Sequence, residues 1–245
     1  MKTGISHQSF ESYITEDSEV IRVREALYSG NLCMVPSCIT GAPGSGITHL
    51  MSAIFQELTR LNTPGNVRFV SAHFLDHYWG SGKKRFSPCS FPEFIKTAKT
   101  LLVDDVQALF ENQAGADLLD VLHQHFGKEQ KKLIIGCSDQ AFEQFSPQRF
   151  SVKGLTRLQL PLLSSRSIHL ILQEACRYDR HVPRQLLRLL ASYSAPVKKH
   201  LHCLIRIRFM SRAQHINLFQ LDEPQLNHVF GVESWFNQVD PASIH

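Results

Sequence analysis

One stretch limits what this chain can become more than any other: Thr40-Gly41-Ala42-Pro43-Gly44-Ser45-Gly46-Ile47-Thr48-His49-Leu50. A mostly apolar run, Leu32 to Ile39, precedes it, and a helical pattern from Met51 to Leu61 follows. The order strand, glycine-rich turn, helix lets successive backbone N–H groups curl inward above a helix N-terminus, which makes a cradle for phosphate. The spacing is that of the P-loop, Gly-x-x-x-x-Gly-Lys-Ser/Thr, except that Ile47 stands at the lysine position. Thr48 falls where a metal-binding hydroxyl belongs. Residues 41–49 are therefore the candidate nucleotide contacts. The lysine is a point charge on the β- and γ-phosphates. Its loss removes about 1.5–3 kcal/mol, one to two decades of affinity, and leaves the backbone cradle intact. On the loop alone, weakened nucleotide binding and a βα turn that binds nothing stand level.

The next informative stretch is Leu101-Leu102-Val103-Asp104-Asp105. A short apolar run ending in acids reads as a buried strand that delivers carboxylates to the C-terminal edge of a parallel sheet, where ligands of open α/β folds sit. In that position Asp104 holds Mg²⁺, directly or through water, and Asp105 polarises the attacking water. The alternative is an acid-enriched helix start, since a helix is expected over 112–126. Leu133 to Asp139 is a further buried strand ending in polar groups, with Ser138 or Asp139 placed to sense a terminal phosphate. Val67–Ser71 and residues 155–160 read as two more strands. Strand and helix alternate as far as Pro161, which argues for a parallel sheet covered on both faces.

Beyond Pro161 the pattern turns helical. Helices are expected from Ser164, from near Pro183, from Val197 to about Met210, and after Asp222-Glu223-Pro224; the apolar run Ile216 to Leu221 is ambiguous. An earlier helix runs from Glu19 to Tyr28 behind the start cluster Thr15 to Ser18. The expected division is an αβα nucleotide-binding domain over 1–161 and a helical lid over 162–245.

Composition excludes some classes. The six cysteines contain no Cys-x-x-Cys pair, and most lie in apolar runs, where free cysteine acts as a small hydrophobe. The histidine pairs His123/His125 and His200/His202 point to different helix faces, so no zinc site is expected. The N-terminus is polar within ten residues and no apolar run approaches membrane-spanning length. A reducing cytoplasm is the expected location. The net charge of +4 permits contact with nucleic acid without requiring it. Lys83-Lys84-Arg85 reads as a solvated surface loop, phosphate contact being the alternative.

The order of these pieces resembles the AAA+ ATPase part of the bacterial replication initiator DnaA and its shorter relative, the regulator Hda. Phe10-Glu11-Ser12-Tyr13-Ile14 with Asp17-Ser18 looks like that family's lead-in. Gly46-Ile47-Thr48-His49-Leu50 is similar to its Gly-Lys-Thr-His-Leu segment, and Leu101 to Gln107 to its Walker B strand. Cys137-Ser138-Asp139 sits at its sensor 1 position. Gln148-Arg149-Phe150, ahead of Gly154-Leu155-Thr156 and Pro161, resembles the segment bearing the arginine finger, which makes Arg149 a catalytic group offered to a neighbouring subunit. Ala195-Pro196-Val197-Lys198 is similar to the lid segment of sensor 2; Lys198 keeps the charge of the family's arginine without its fork.

The resemblance implies the AAA+ fold, an α/β P-loop-type parallel sheet sandwiched by helices and followed by a small helical lid. It implies ATP or ADP as ligand, with Mg²⁺ at Thr48 and Asp104 when ATP is bound, weak or absent hydrolysis because of Ile47, and DnaA as partner. Ser6-His7-Gln8-Ser9-Phe10 stands where Hda-like chains carry Gln-Leu-x-Leu-Pro, so the sequence does not support contact with the sliding clamp. With no room for a helix-turn-helix domain, direct DNA binding is expected to be weak or absent, and self-association is left open. A DnaC-like helicase loader and a nucleotide-free scaffold are the competing functions.

Overall fold

Period-two alternation in the apolar runs sorts the interior into two layers on either side of one sheet. In the computed structural model, which describes residues 10, 13, 17–62, 65–79, 91–110, 113–128, 131–145, 156–177 and 181–237, the strands are β1 (Cys38–Gly41), β2 (Val67–Ser71), β3 (Thr100–Asp104), β4 (Lys132–Ser138) and β5 (Arg157–Leu160). Their order is β2-β3-β4-β1-β5 and every pairing is parallel. Leu101, Val103, Leu133, Ile135 and Cys137 face one layer, while Leu102, Ile134, Ile39 and Leu158 face the other. Such side chains are each worth about 1.5–3 kcal/mol when fully buried, so a one-residue register slip, which exchanges the faces, is strongly disfavoured.

Two helices cover the second face. Helix α1 (Ser18–Tyr28) starts at Asp17, whose carboxylate accepts N–H bonds from Glu19 and Val20; α2 (Ile47–Leu61) buries Leu50, Met51, Ile54 and Leu58. The first face carries α3 (Ala72–Trp79), α4 (Glu93–Lys96), α5 (Gln107–Phe110), α6 (Gln113–Lys128) and α7 (Asp139–Phe145), through Leu75, Ile95, Leu109, Phe126 and Ala141. The α/β class and the helix-covered parallel sheet are those read from the sequence.

Several boundaries differ. The run from Leu32 to Ile39 is not one strand: Leu32–Met34 forms a 3-10 turn and β1 begins at Cys38. Pro36 has no N–H to give a ladder, and pairing starts where the Ser37 and Cys38 amides both reach the Thr156 carbonyl at 3.0 Å. Helix α3 was not expected; the Ser71 hydroxyl accepts the Phe74 N–H at 3.2 Å and starts it. Asp105 and Asp139 both lie outside the strands assigned to them, Asp105 in a turn and Asp139 as the first residue of α7.

The chain divides into two compact units, Met1–Pro161 and Leu162–His245. The second contains α8 (Ser165–Ala175), α9 (Arg184–Ser192), α10 (Val197–Ala213), α11 (Glu223–Phe230) and α12 (Val232–Asn237), with no strand among its described residues. Its core is Leu172, Leu186, Leu190, Leu204, Ile207 and Leu226. The ambiguous run after Ile216 becomes a 3-10 turn, Leu218–Gln220. Asp222 and Gln225 form a reciprocal capping box on α11, and Gly231 ends that helix in the left-handed region, φ 59°. Helix α12 follows it, one helix more than the sequence pattern showed.

Candidate functional site

The loop after β1 is shaped by three glycines. Gly44 (φ 84°) and Gly46 (φ 97°) adopt backbone angles that other residues reach only with strain. Gly41 is required for space: a Cβ there would stand 2.4 Å from Ser45 Oγ and 3.1 Å from Leu160. The Ser45 amide closes the turn on the Ala42 carbonyl at 3.0 Å, and the Leu50 amide reaches Gly46 O at 2.9 Å as α2 begins. No side chain caps that helix start. The first-turn N–H groups and the positive end of a 15-residue helix thus face the loop. Ser45 is buried at 2 % exposure and its hydroxyl finds no hydrogen-bond partner among the described residues.

Ile47 does not reach over the loop as a lysine would. It is half-buried and packs with the layer of Leu50, Met51 and Ile54. Its Cγ2 lies 2.9 Å from where a Cβ on Gly136 would stand; Met51 Sδ is 2.2 Å from that point and Asp104 Oδ1 3.0 Å. Glycine at the middle of β4 is what lets α2 and the β3 carboxylate approach the same spot.

Thr48 and Asp104 are brought together. Asp104 ends β3 with only 5 % exposure. Burial raises its pKa from 3.8 to about 6, opposed by the hydrogen bond from the Thr48 hydroxyl, and the neighbouring Asp105 charge raises it further. Its Oδ1 also accepts the Asp105 N–H at 3.0 Å. Asp105 then leaves the strand through a left-handed backbone angle, φ 56°. Asp tolerates this region better than most residues. The turn is fixed by the Val106 amide on Gly136 O (3.0 Å) and by Gln107 Nε2 on the Asp105 carboxylate (3.1 Å). Two adjacent carboxylates consequently occupy different surroundings, one buried against Thr48 and one half-buried in the turn.

Asp139 is engaged elsewhere. Its Oδ1 accepts Arg157 at 3.0 Å, and the same guanidinium bonds Glu143 (2.9 Å) and Thr40 Oγ1 (2.9 Å) and lies 4.2 Å from the centre of the Phe142 ring. Neither Arg157 nor Tyr13 drew notice in the sequence as a site residue. Tyr13 packs edge-on to His49 at 5.1 Å between ring centres, and its ring atoms come within 3.3 Å of where a Cβ on Gly46 would stand. Burial raises its hydroxyl well above the ordinary tyrosine range. Arg149 lies outside the described residues, as do Lys83, Lys84 and Arg85. Lys198 is exposed in the first turn of α10, in the second unit.

The donor set fits a divalent cation beside a polyphosphate. A hydroxyl and a buried carboxylate are hard oxygen ligands of the kind Mg²⁺ takes while keeping waters and phosphate oxygens as the rest of its shell. A cation there would relieve the burial cost that keeps Asp104 protonated to higher pH. Among the described residues no group of three or more His, Cys, Asp or Glu could hold a metal. None of the described helices is long and apolar enough to cross a membrane.

Comparison with known proteins agrees with this architecture. The family model of the bacterial DnaA ATPase domain matches residues 8–161. The chromosomal replication initiator protein DnaA of Gloeothece citriformis is 27 % identical over 183 residues, 70 % of this chain and 39 % of that protein. The match thus spans about two fifths of the relative's length. Domain III of Thermotoga maritima DnaA superposes with a TM-score of 0.70 at 18 % identity, over 94 % of this chain and 98 % of that one. The AMPPCP-bound DnaA of Aquifex aeolicus superposes with a TM-score of 0.63 at 19 % identity, over 86 % and 69 %.

Proposed function

Because the chain belongs to the bacterial DnaA ATPase-domain family, we propose that it binds an adenine nucleotide, ATP or ADP, in the loop over residues 41–49 and regulates replication initiation in the manner of Hda. The carrying observation is the state of the loop: its backbone cradle and its Thr48–Asp104 pair are intact, while Ile47 packs into the core where the phosphate-binding lysine belongs. Binding without that lysine is weakened and hydrolysis by the chain itself is slow.

In this reading the loop amides hold the phosphates, and Thr48 and Asp104 hold Mg²⁺. A bound Mg²⁺ supplies neutralisation of phosphate charge. Asp105, set apart by its turn, orients water. Asp139 is committed to Arg157 and senses nucleotide only if that ion pair opens. Lys198 contributes charge from the lid, the role proposed for the second unit. The partner is DnaA, to whose nucleotide Arg149 is offered. The cytoplasm is the compartment where that partner works.

The test is ATP hydrolysis by DnaA, measured with and without this chain and with its Arg149→Ala variant. The parent should accelerate hydrolysis, and the variant should lose at least two decades of that acceleration, in keeping with what such arginines contribute. Equal stimulation by the variant would remove Arg149 from the mechanism. Calorimetry with ADP and ATP, with and without Mg²⁺, separately tests the loop.

A further inference from the structure

A guanidinium presents its N–H donors in a fixed planar fork, and Arg157 engages all three of its nitrogens. Nε donates to Thr40 Oγ1 at 2.9 Å, one terminal nitrogen to Glu143 Oε1 at 2.9 Å and the other to Asp139 Oδ1 at 3.0 Å. The plane also lies 4.2 Å from the centre of the Phe142 ring. The charge is therefore fixed between two elements, since Thr40 belongs to β1 and the other partners to α7. The two acids are not equivalent. The Asp139 side chain is 30 % exposed and that of Glu143 68 %, so the Asp139 pair is the less screened by solvent.

That charge is held beside the glycine-rich loop. Thr40 directly precedes Gly41, and Gly41 is in register with Ser138, the last residue of β4. Paired strands stand about 4.8 Å apart and consecutive Cα atoms about 3.8 Å apart, which puts the Asp139 backbone within about 9 Å of the first residue of the loop. A bare carboxylate at that range repels a bound polyphosphate. The repulsion is strongest for a terminal phosphate, the group that the end of β4 is placed to sense. Ile47 offers no ammonium against it, and Asp104 and Asp105 carry the same sign at the neighbouring edge of β3. Arg157 is in register with Cys38, three residues before Gly41, so only a long side chain brings a cation from there to Asp139.

We propose that Arg157 is a specificity-determining positioning residue of the nucleotide site: by pairing with Asp139 it cancels a carboxylate that would otherwise repel the terminal phosphate, and so sets how well ATP competes with ADP. The inference rests on the nucleotide reading of the loop. Arg157 acts through Asp139 rather than on the phosphate, and the ion pair stays closed when ATP binds. Thr40, Glu143 and the Phe142 ring hold the fork in place for that pairing. Arg157 thereby offsets part of what the loop lacks at position 47.

The experiment is calorimetric titration of the full chain with ATP and with ADP, each with Mg²⁺, at low and at high salt. Arg157→Met should weaken ATP binding about five- to tenfold and ADP binding less than about twofold, and the gap should narrow as salt screens the exposed charge. Asp139→Asn, which leaves the Arg157 charge uncancelled, should favour ATP over ADP by about threefold more than the parent does. The double variant should recover the parent's ATP affinity to within about twofold, a rescue that a merely structural brace cannot give. If Arg157→Met does not fold, Asp139→Asn still decides. Equal loss of both nucleotides in Arg157→Met without rescue in the double variant overturns the proposal, as does a loss of ATP affinity in Asp139→Asn. A parent that binds neither nucleotide brings down the loop reading and this inference with it, whereas a parent that binds both, with an unchanged ATP-to-ADP ratio in the variants, removes the inference alone.

Discussion

The two edges of one sheet solve opposite problems. At the C-terminal edge, a parallel arrangement brings together the ends of β1, β3 and β4, and with them Gly41, Asp104 and Ser138, which adjoins Asp139. Positive character there comes from backbone amides and a helix start, and the side chains are acidic. At the N-terminal edge the backbone offers carbonyls and the side chains are Lys99, Lys131 and Lys132. A helix start thus presents amides at the first edge, while backbone carbonyls and lysine ammonium groups meet at the second. The acidic edge buries its decisive charge; the basic edge leaves Lys99 exposed and Lys132 half-buried.

That contrast can be tested by changing one charge at a time. The largest effect is expected at Asp104. Its folded pKa lies near 6 against 3.8 for the unfolded chain, so the folded state holds the proton more tightly. The associated stability is fully present below about pH 4 and is lost as pH rises through 6, a change on the order of 3 kcal/mol. Urea unfolding of the nucleotide-free protein should show this fall. Asp104→Asn should abolish it, leave the variant more stable at pH 7, and remove the Mg²⁺ dependence of nucleotide binding. A variant less stable at pH 7 would show that burial does not govern this carboxylate.

The next effect is at Ile47. Ile47→Lys should tighten ATP binding roughly 10- to 100-fold, about 1.5–3 kcal/mol, by calorimetry. An unchanged affinity would mean that the loop does not present its amides to phosphate. The smallest effect is at the other edge, where Lys99→Gln should shift the unfolding free energy by no more than about 0.5 kcal/mol. A loss well above that would make the basic edge a device for stability and erase the distinction drawn here.

Periodic features were legible in the sequence and long-range ones were not. The strand Val67–Ser71 emerged with its observed bounds, and α2 ends at Leu61 as its pattern indicates while starting four residues ahead of Met51, because a two-residue or 3.6-residue period carries the signal and a glycine-rich helix start does not. The acids of the Walker B-like segment were visible as a pair, but their separation was not: it depends on a single positive φ at Asp105, and no apolar count registers that. The hold on Asp139 comes from Arg157, whose nearness depends on β5 lying beside β1. Nothing local in Arg157-Leu158-Gln159-Leu160 announces such a partner. The start of α3 was readable in retrospect, since Ser71 directly precedes it as a helix cap.

Gly136 has a consequence for anyone who would alter this protein. The separation between the phosphate loop's helix and the β3 carboxylate is set by a missing methyl group: Met51, Ile47 and Asp104 all crowd the volume it would fill. Remodelling the Ile47 position therefore also changes the seat on which Asp104 rests. A lysine at position 47 gains its effect by leaving that crowded volume, and the residue that sets the volume lies almost ninety positions further along the chain, in the middle of β4.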